Sequence, residues 1–492
     1  MNKEEAIVGV AEQIQAHDLE LIRFAWCDVH GVVRCKSLSA AAAMRALDNG
    51  VGMVSTLFLK DAVGRTVYKI FEPETAAQLP DFAFASNVQL MPLPHTFKVL
   101  PWAEKTGWIL CDAVFPNGEP VGLDTRHQLK TALGNLAKRG LGMVCGLEVE
   151  LHIYRLDEAR NSAYRNPDLA AWPGPAPEVS LIHPGFNLLS ESCLDMADEP
   201  LRIVQRTAQA LGLPLLSLEI ELGPSQVEVV FDATDALTAA DNMVLFRSAV
   251  GQALGRAGYY ATFMCRPPFE NIMASGWHLH QSLVDLATGE NAMMRPLALE
   301  LAPTPTSTPT QTGEATELLS DLGAHYLAGL LTHARGMTVM CTPTTNGFER
   351  FKPNALAPHA IVWGRDNRGA MLRVIGQAGD AATRIENRLG EPAANPYLYM
   401  AAQIHAGLAG IDQRLVPPRA TADPYGQGAT DGLVPNNLGE ALDALTADPA
   451  MRAGFGDAFI NYYEQIKRPE QQRYEAAEDK RAFHTRAYFS RI

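Results

Sequence analysis

Four apolar segments of this chain each carry charge along one side. In GLEVELHIY, Glu148, Glu150 and His152 share one strand face, while Leu147, Val149 and Leu151 share the other. Residues two apart on a strand point the same way. SLEIELGPSQVEVVF pairs Glu219 with Glu221 and, past a Gly-Pro turn, Gln226 with Glu228. SGWHLHQSLV aligns His278, His280 and Ser282, and ATRIENRL aligns Arg384, Glu386 and Arg388. This period of two demands a sheet with one face against a core. The charged faces have two readings. They are solvated outer surfaces, the commonest use of alternation, or they line a site. Solvated faces mix Lys, Thr and Ser; these hold Glu and His with a separate arginine pair, and the recurrence favours a site.

Converging carboxylates repel, and some are forced to protonate, unless a cation lies among them. Glu and His are ligands for hard or borderline divalent ions. With many Glu, few His and no Cys, Mg²⁺ or Mn²⁺ is expected over Zn²⁺. Arginines beside metals suit phosphate oxygens, which a planar guanidinium binds through two donors. Carboxylates, divalent metals and arginines together make a phosphoryl-transfer site. The chain has no GxxxxGK[ST] loop, so a Walker-type nucleotide site is excluded.

The rest of the chain is compatible with such an enzyme. Its 492 residues give room for one large domain and a smaller one. A net charge of -14 argues against a nucleic-acid partner and an anionic membrane surface. The start MNKEEAIVGV lacks a signal-peptide apolar core, and no apolar run is long enough to span a bilayer. Seven cysteines without a CxxC pair read as reduced thiols of a cytoplasmic enzyme.

The pattern predicts a helix over AEQIQAHDLE, then a hairpin in LIRFAWCDVHGVVRCKSL around a His-Gly turn. Alternation at Asn87–Val99 and the short run GWILCDAV add strands. Helices are expected at Arg126–Arg139, Ala324–Met337, Ala401–Gly407, Leu438–Ala447 and Met451–Arg473. The Pro- and Thr-rich stretch Asp285–Thr312 reads as a surface excursion. The domain boundary falls near residue 113, giving 1–113 and 114–492.

In order along the chain, these segments resemble the glutamine synthetase superfamily. GLEVELHIY resembles its GxExEF strand, and ELGPSQVEVVF its E-x-G-P-G-Q-x-E segment, with Ser225 in place of glycine. TFMCRPPF and SGWHLHQSL resemble TFMPKP and GSGxHxHxSL; NGFERF resembles NSYKRL. WGRDNRGAMLRV and TRIENRLGEPAANPYL resemble the arginine and RxExR-NPYL segments. The resemblance covers the chain from about residue 18 onward.

It implies an α+β fold: an N-terminal β-grasp domain, then a catalytic domain whose curved antiparallel sheet forms a funnel. It further implies a homo-oligomer of stacked rings, a dodecamer, with active sites between neighbouring subunits. ATP and glutamate would enter from opposite ends, and an acyl phosphate would be displaced by an amine. By resemblance, Glu150, Glu221 and Glu228 hold one metal, and Glu148, His278 and Glu386 a second, with two to three ions per site. ATP meets His280, Ser282, Arg384 and Arg368. Arg368 and Arg373 stabilise charge on the moving phosphoryl group, and Arg350 and Arg388 hold glutamate carboxylates. Glu150 and Glu221 also face the substrates. Arg373 has an alternative reading as a buried ion-pair partner, His152 reads as a core histidine, and Arg34 and Lys36 read as surface charges.

One departure bears on the amine. Two prolines in NGFERFKPNALAPHA argue for a shaped loop and against a helix. Aligning Arg350 and the Ala-Pro at 357–358 with the family loop puts Leu356 where a glutamate closes over ammonium. Ammonium gains from a carboxylate; a leucine favours a nucleophile with carbon attached. Family members that make γ-glutamyl amides of polyamines, methylamine, isopropylamine or aniline share this departure. The family's F-D-G-S-S loop has no counterpart in TLFLKDAVG, where Asp61 is a weak candidate for its aspartate. Two missing carboxylates favour a neutral or hydrophobic amine, aniline or a small alkylamine, over a polyamine such as putrescine. An alkylammonium, with a pKa of roughly 10.4, needs a base before attack; Glu219, Glu221 or a neighbouring subunit's residue would have to supply it. Met273 and Ala274 replace Asn and Gly at the amino-acid end, and Glu349 stands where lysine is common. Ordinary glutamine synthesis and a non-catalytic scaffold are the remaining alternatives. All six metal-ligand positions carry the expected residue type, against a scaffold.

Overall fold

The computed structural model describes residues 3–157, 170–297, 315–352, 356–426, 432–489 and 491. Much of the Pro- and Thr-rich excursion, 298–314, lies outside them, as does 353–355 of the loop before Leu356.

The N-terminal sheet comprises β1 (Leu21–Cys27), β2 (Val33–Ser39), β3 (Val51–Val54), β4 (Asn87–Pro92), β5 (Lys98–Val99) and β6 (Thr106–Val114). Its order is β2-β1-β6-β4-β3, with β5 also on β6. The hairpin turns at Asp28–Gly31 as the His-Gly signal predicts. β1 runs parallel to β6, and the helix Ala40–Asn49 buries Ala43, Ala46 and Leu47. A hairpin, a covering helix and a parallel central pair form the β-grasp arrangement. The chain opens with a helix at Lys3–Ala16, earlier than the expected AEQIQAHDLE.

The second sheet holds β7 (Leu141–Leu156), β8 (Val179–Leu181), β9 (Leu215–Ile220), β10 (Gln226–Asp235), β11 (Tyr259–Thr262), β12 (Trp277–Asp285), β13 (Trp363–Arg365), β14 (Leu372–Ile375) and β15 (Arg384–Gly390). Its order is β13-β14-β15-β12-β7-β10-β9, with β8 and β11 also on β7. All its pairs are antiparallel except β13 with β14. Leu147, Val149, Leu151, Val227, Val229 and Leu279 are buried on its apolar side. Against this core lie the helices Thr125–Ala137, Ala236–Arg256 and Pro396–Gln413.

Helix ends follow local chemistry. Asn395 caps Pro396–Gln413 through the amides of Tyr397 and Leu398, and its own amide group donates to the Asp28 carbonyl, 2.9 Å away. That helix starts five residues before the expected Ala401, because proline is well placed in a first turn. The expected Ala324–Met337 helix is two, Asp321–Thr332 and Ala334–Cys341, broken at His333. Met451–Arg473 is likewise two, Pro449–Phe455 and Asp457–Ala476, parted by Gly456 at φ 83°. No helix among the described residues is long and apolar enough to cross a membrane. The seven cysteines are all free thiols.

Candidate active site

Strand register assembles the charged faces into one cluster. His278 of β12 pairs with Glu148 of β7, and Glu228 of β10 with Glu150 of β7. Arg373 of β14 and His280 of β12 both pair with Glu386 of β15. Side chains directly opposite on an antiparallel pair approach closely, so four strands deliver one carboxylate–imidazole centre and a fifth, β14, sets Arg373 beside it. The solvated reading of these faces is thereby replaced: Glu228, His278, His280 and Glu386 are all buried.

His278 sits in the middle. Its Nδ1 lies 3.4 Å from Glu148 Oε2 and 3.6 Å from Glu386 Oε1. It is 4.0 Å from Glu228, and its Nε2 is 4.0 Å from Glu150. Two triads offer ligand atoms within 4.8 Å of one another: Glu148, His278 and Glu386, and Glu150, Glu228 and His278. The first matches the expected second metal set. The second has His278 where Glu221 was expected. Glu221 lies at the end of β9, half-buried, with its carboxylate accepting from the Leu222 amide.

The electrostatics ask for a cation. Burial pushes Glu228 up to about 9, with the Glu150 and Glu148 charges adding to it. Burial and then the Glu221 charge raise Glu150 to about 7. Glu221 is raised too, by burial, partly offset by the Leu222 amide. Burial followed by the Arg388 charge lowers His278 to about 4, leaving it neutral and free to ligate. Burial also works to raise Glu148, but hydrogen bonds with His278 and His280 outweigh it and hold that carboxyl well below its usual range. A crowded set of hard oxygens with one imidazole fits Mg²⁺ or Mn²⁺.

On one flank, a cavity of about 340 Å³ is lined by Gly146, Glu148, Phe231, His280, Ser282 and Arg384. The Arg384 Nε donates to His280 Nδ1 at 3.1 Å, leaving His280 Nε2 2.9 Å from Glu148. Arg368 lies elsewhere, exposed in a cavity of about 730 Å³ with Arg365 and Asp366. Asp366 links the two regions, because Arg373 pairs with it at 2.5 Å and with Glu386 at 3.1 Å. Arg373 is thus an ion-pair partner of a candidate ligand, the alternative reading given it from the sequence.

The buried Arg350 donates to the carbonyls of Arg388 (2.9 Å) and Gly390 (3.3 Å). A Cβ on Gly276 would sit 2.6 Å from its guanidinium, so glycine is needed for this approach. Arg388 pairs with Glu386 at 2.5 Å and donates to the Leu356 carbonyl at 3.3 Å. Its Nε is buried and has no partner among the described residues. Leu356 sits at φ 51° with 64% of its surface exposed. A left-handed leucine is strained, a condition that concentrates at functional turns. The stretch before it is not wholly loop, since Gly347–Arg350 forms a 3₁₀ turn.

Several site residues were missed in the sequence. Gln226 donates to Glu150 at 2.9 Å; it shares the Glu228 face, and that was its only signal. Tyr425 donates its hydroxyl to the Ala357 carbonyl, 3.3 Å away, beside Leu356. Asp61, the candidate for the family loop's aspartate, is buried, accepts the amides of Val63 and Arg65, and pairs with Arg473 at 2.6 Å. His152 is a core histidine, lowered to about 3 by burial. Arg34 pairs with Asp28, and Lys36 donates to the Gly52 carbonyl. Glu349 gains its account here, lying 3.3 Å from His484 and 3.7 Å from Arg266.

Residues 122–485 match the glutamine synthetase catalytic domain. The chain belongs to the glutamine synthetase family. It is 39% identical over 477 residues to a gamma-glutamylanilide synthase of Acinetobacter sp, covering 95% of this chain and 91% of that protein. It is 30% identical over 469 residues to a glutamate–isopropylamine ligase of Pseudomonas sp, covering 94% and 93%. A solved GmaS–ADP complex superposes with a TM-score of 0.75 at 26% identity, covering 96% of this chain and 97% of that one. As a member of this family the chain is an enzyme, an ATP-dependent glutamate–amine ligase, and the family's use of ATP and a divalent metal fits the donor set found here.

Proposed function

We propose that this enzyme joins the γ-carboxylate of glutamate to an organic amine through a γ-glutamyl phosphate, giving a γ-glutamylamide, ADP and phosphate. The favoured amine is neutral or hydrophobic, aniline or a small alkylamine. The carrying observation is Leu356, an exposed left-handed leucine whose carbonyl is held by Arg388. A carboxylate there would draw in ammonium; a leucine offers only apolar surface to the amine. The likeness to a gamma-glutamylanilide synthase supports the same choice.

In this reading the cavity beside Glu148 takes ATP, with His280, Ser282 and Arg384 on its wall, and Arg368, which lines a separate cavity, would have to reach the nucleotide from there. Glu148, His278 and Glu386 would hold one divalent ion; Glu150, Glu221 and Glu228, with His278 close by, would hold another, for two to three Mg²⁺ or Mn²⁺ in all. These ions neutralise charge on phosphate oxygens. Arg368 and Arg373 offset charge on the moving phosphoryl group. Arg350 and Arg388 orient glutamate, and the unpartnered Arg388 Nε is a ready donor to a carboxylate. The proton released by the attacking amine would pass to Glu219, Glu221 or a neighbouring subunit's residue. We place the enzyme in the cytoplasm, as a dodecamer of stacked rings.

The test is phosphate release from ATP with glutamate, Mg²⁺ and a panel of ammonium, methylamine, isopropylamine, putrescine and aniline. Turnover led by aniline or isopropylamine supports the reading. A lead by putrescine means that unidentified carboxylates hold a polycation. A lead by ammonium overturns the role given to Leu356.

A further inference from the structure

The last helix of the chain, Lys480–His484, and the turn after it, Thr485–Phe489, return to the loop that carries Arg350. His484 is buried, its ring stacked on Tyr474 with centroids 4.9 Å apart and planes 3° from parallel. Its Nδ1 lies 3.3 Å from Glu349 Oε1 and 3.3 Å from the Asn346 side-chain amide. Its Nε2 lies 3.1 Å from Thr345 Oγ1. The Thr345 hydroxyl also meets the Tyr488 hydroxyl at 3.0 Å, and Tyr488 donates to Glu470 at 2.5 Å. Lys467 closes the chain on the other Glu470 oxygen at 2.6 Å.

Every polar side chain from Thr344 to Glu349 is therefore held from outside its own turn. Thr344 is held by Glu391, at 2.7 Å through its amide and 2.8 Å through its hydroxyl. Asn346 exchanges hydrogen bonds with the Arg266 backbone at 2.8 and 3.1 Å. A single 3₁₀ turn has poor internal hydrogen bonds and needs such outside support to keep one geometry. The next residue along is Arg350, whose guanidinium reaches the carbonyls of Arg388 and Gly390. The sign of residue 349 fits the arrangement. A carboxylate sits well beside Arg266 and His484, whereas the lysine common in the family would set a second cation against the Arg266 guanidinium.

We propose that His484 is a positioning residue for Arg350, acting through Glu349, Thr345 and Asn346, so that the C-terminal segment sets the geometry of the glutamate end of the site. This rests on the reading that Arg350 binds glutamate. His484 touches no substrate. It fixes the turn from which the arginine projects, and small misplacements of a substrate-orienting group are costly.

The experiment compares His484→Gln, His484→Ala and Glu349→Gln with the unchanged enzyme, and Thr485→Ala as a nearby control. The KM for glutamate is expected to rise about tenfold in His484→Ala, with the KM for ATP within about twofold. Glu349→Gln added to His484→Ala adds little, because both act on one turn. A second readout needs no substrate. Amide hydrogen exchange of residues 344–350 speeds up in both His484 variants and stays unchanged in Thr485→Ala. Equal rises in both KM values, or unchanged exchange across 344–350, overturn the proposal. If no amine is turned over with glutamate, the functional reading fails, and the exchange data still decide whether His484 holds the turn.

Discussion

The carboxylate centre and the loop around Leu356 lie side by side yet are built in opposite ways. The centre hangs on paired strands, where register fixes Glu148 against His278 and Glu150 against Glu228. The described residues of the loop form no strand of their own. It is held by an Arg388 hydrogen bond, a Tyr425 hydroxyl and a bridge from Ala360 to Leu433. In the proposed function the difference would separate two tasks. Phosphoryl transfer would need the same charges whatever the amine, and strands would keep them fixed; amine choice would sit on loop backbone, which tolerates change.

That division predicts the largest effect on the strand side. Glu386→Ala leaves Arg373 and Arg388 facing each other without their shared carboxylate. Phosphate release should fall by about a thousandfold or more, and divalent-ion affinity measured by calorimetry should fall with it. A modest loss would break the claim that this face performs the common chemistry.

The next effect is a pH dependence that a metal reverses. Glu228, raised to about 9, and Glu150, raised to about 7, favour their protonated forms in the folded chain. In the unfolded chain a glutamate titrates at about 4.3. The stability they contribute is therefore fully present below that value and lost as pH rises through their folded values. The metal-free protein should melt progressively lower between about pH 5 and 9. Added Mg²⁺ should raise the melting temperature more at the alkaline end, because deprotonated ligands bind metal. A gain independent of pH would remove these carboxylates from the ligand set.

On the loop side, Leu356→Glu should leave folding almost unchanged, since the residue is exposed. Competition assays should show preference moving from aniline toward ammonium by about ten- to a hundredfold. The smallest effect is expected from Tyr425→Phe, which removes one hydroxyl–carbonyl bond to Ala357. That bond is worth about 1 kcal/mol, or roughly fivefold in the KM for the amine, with the KM for ATP unmoved. If both KM values rise, the loop is not a separate module.

The strand faces were legible because alternation is a local signal, and Glu148, Glu150, His278 and Glu386 needed no more than that. Register is not local. Nothing in SLEIELGPSQVEVVF says that Glu228 lies opposite Glu150 while Glu221 falls outside both close triads, so the two triads sharing His278 had to be seen. Helices were legible in kind but not in extent, since a break such as Gly456 sits inside one continuous apolar pattern. The partners of Glu349 lie 83 and 135 residues away along the chain, at Arg266 and His484, beyond any motif.

Asn395 carries a wider consequence. One side chain starts the central helix and grips the Asp28 carbonyl in the turn of the N-terminal hairpin. The two sheets are thereby fastened at a point where neither has slack, and they should come apart in one cooperative event. A fragment beginning after the first sheet would start that helix with a cap whose amide group keeps Thr125 Oγ1, at 3.3 Å, and loses the Asp28 carbonyl that the smaller sheet supplies.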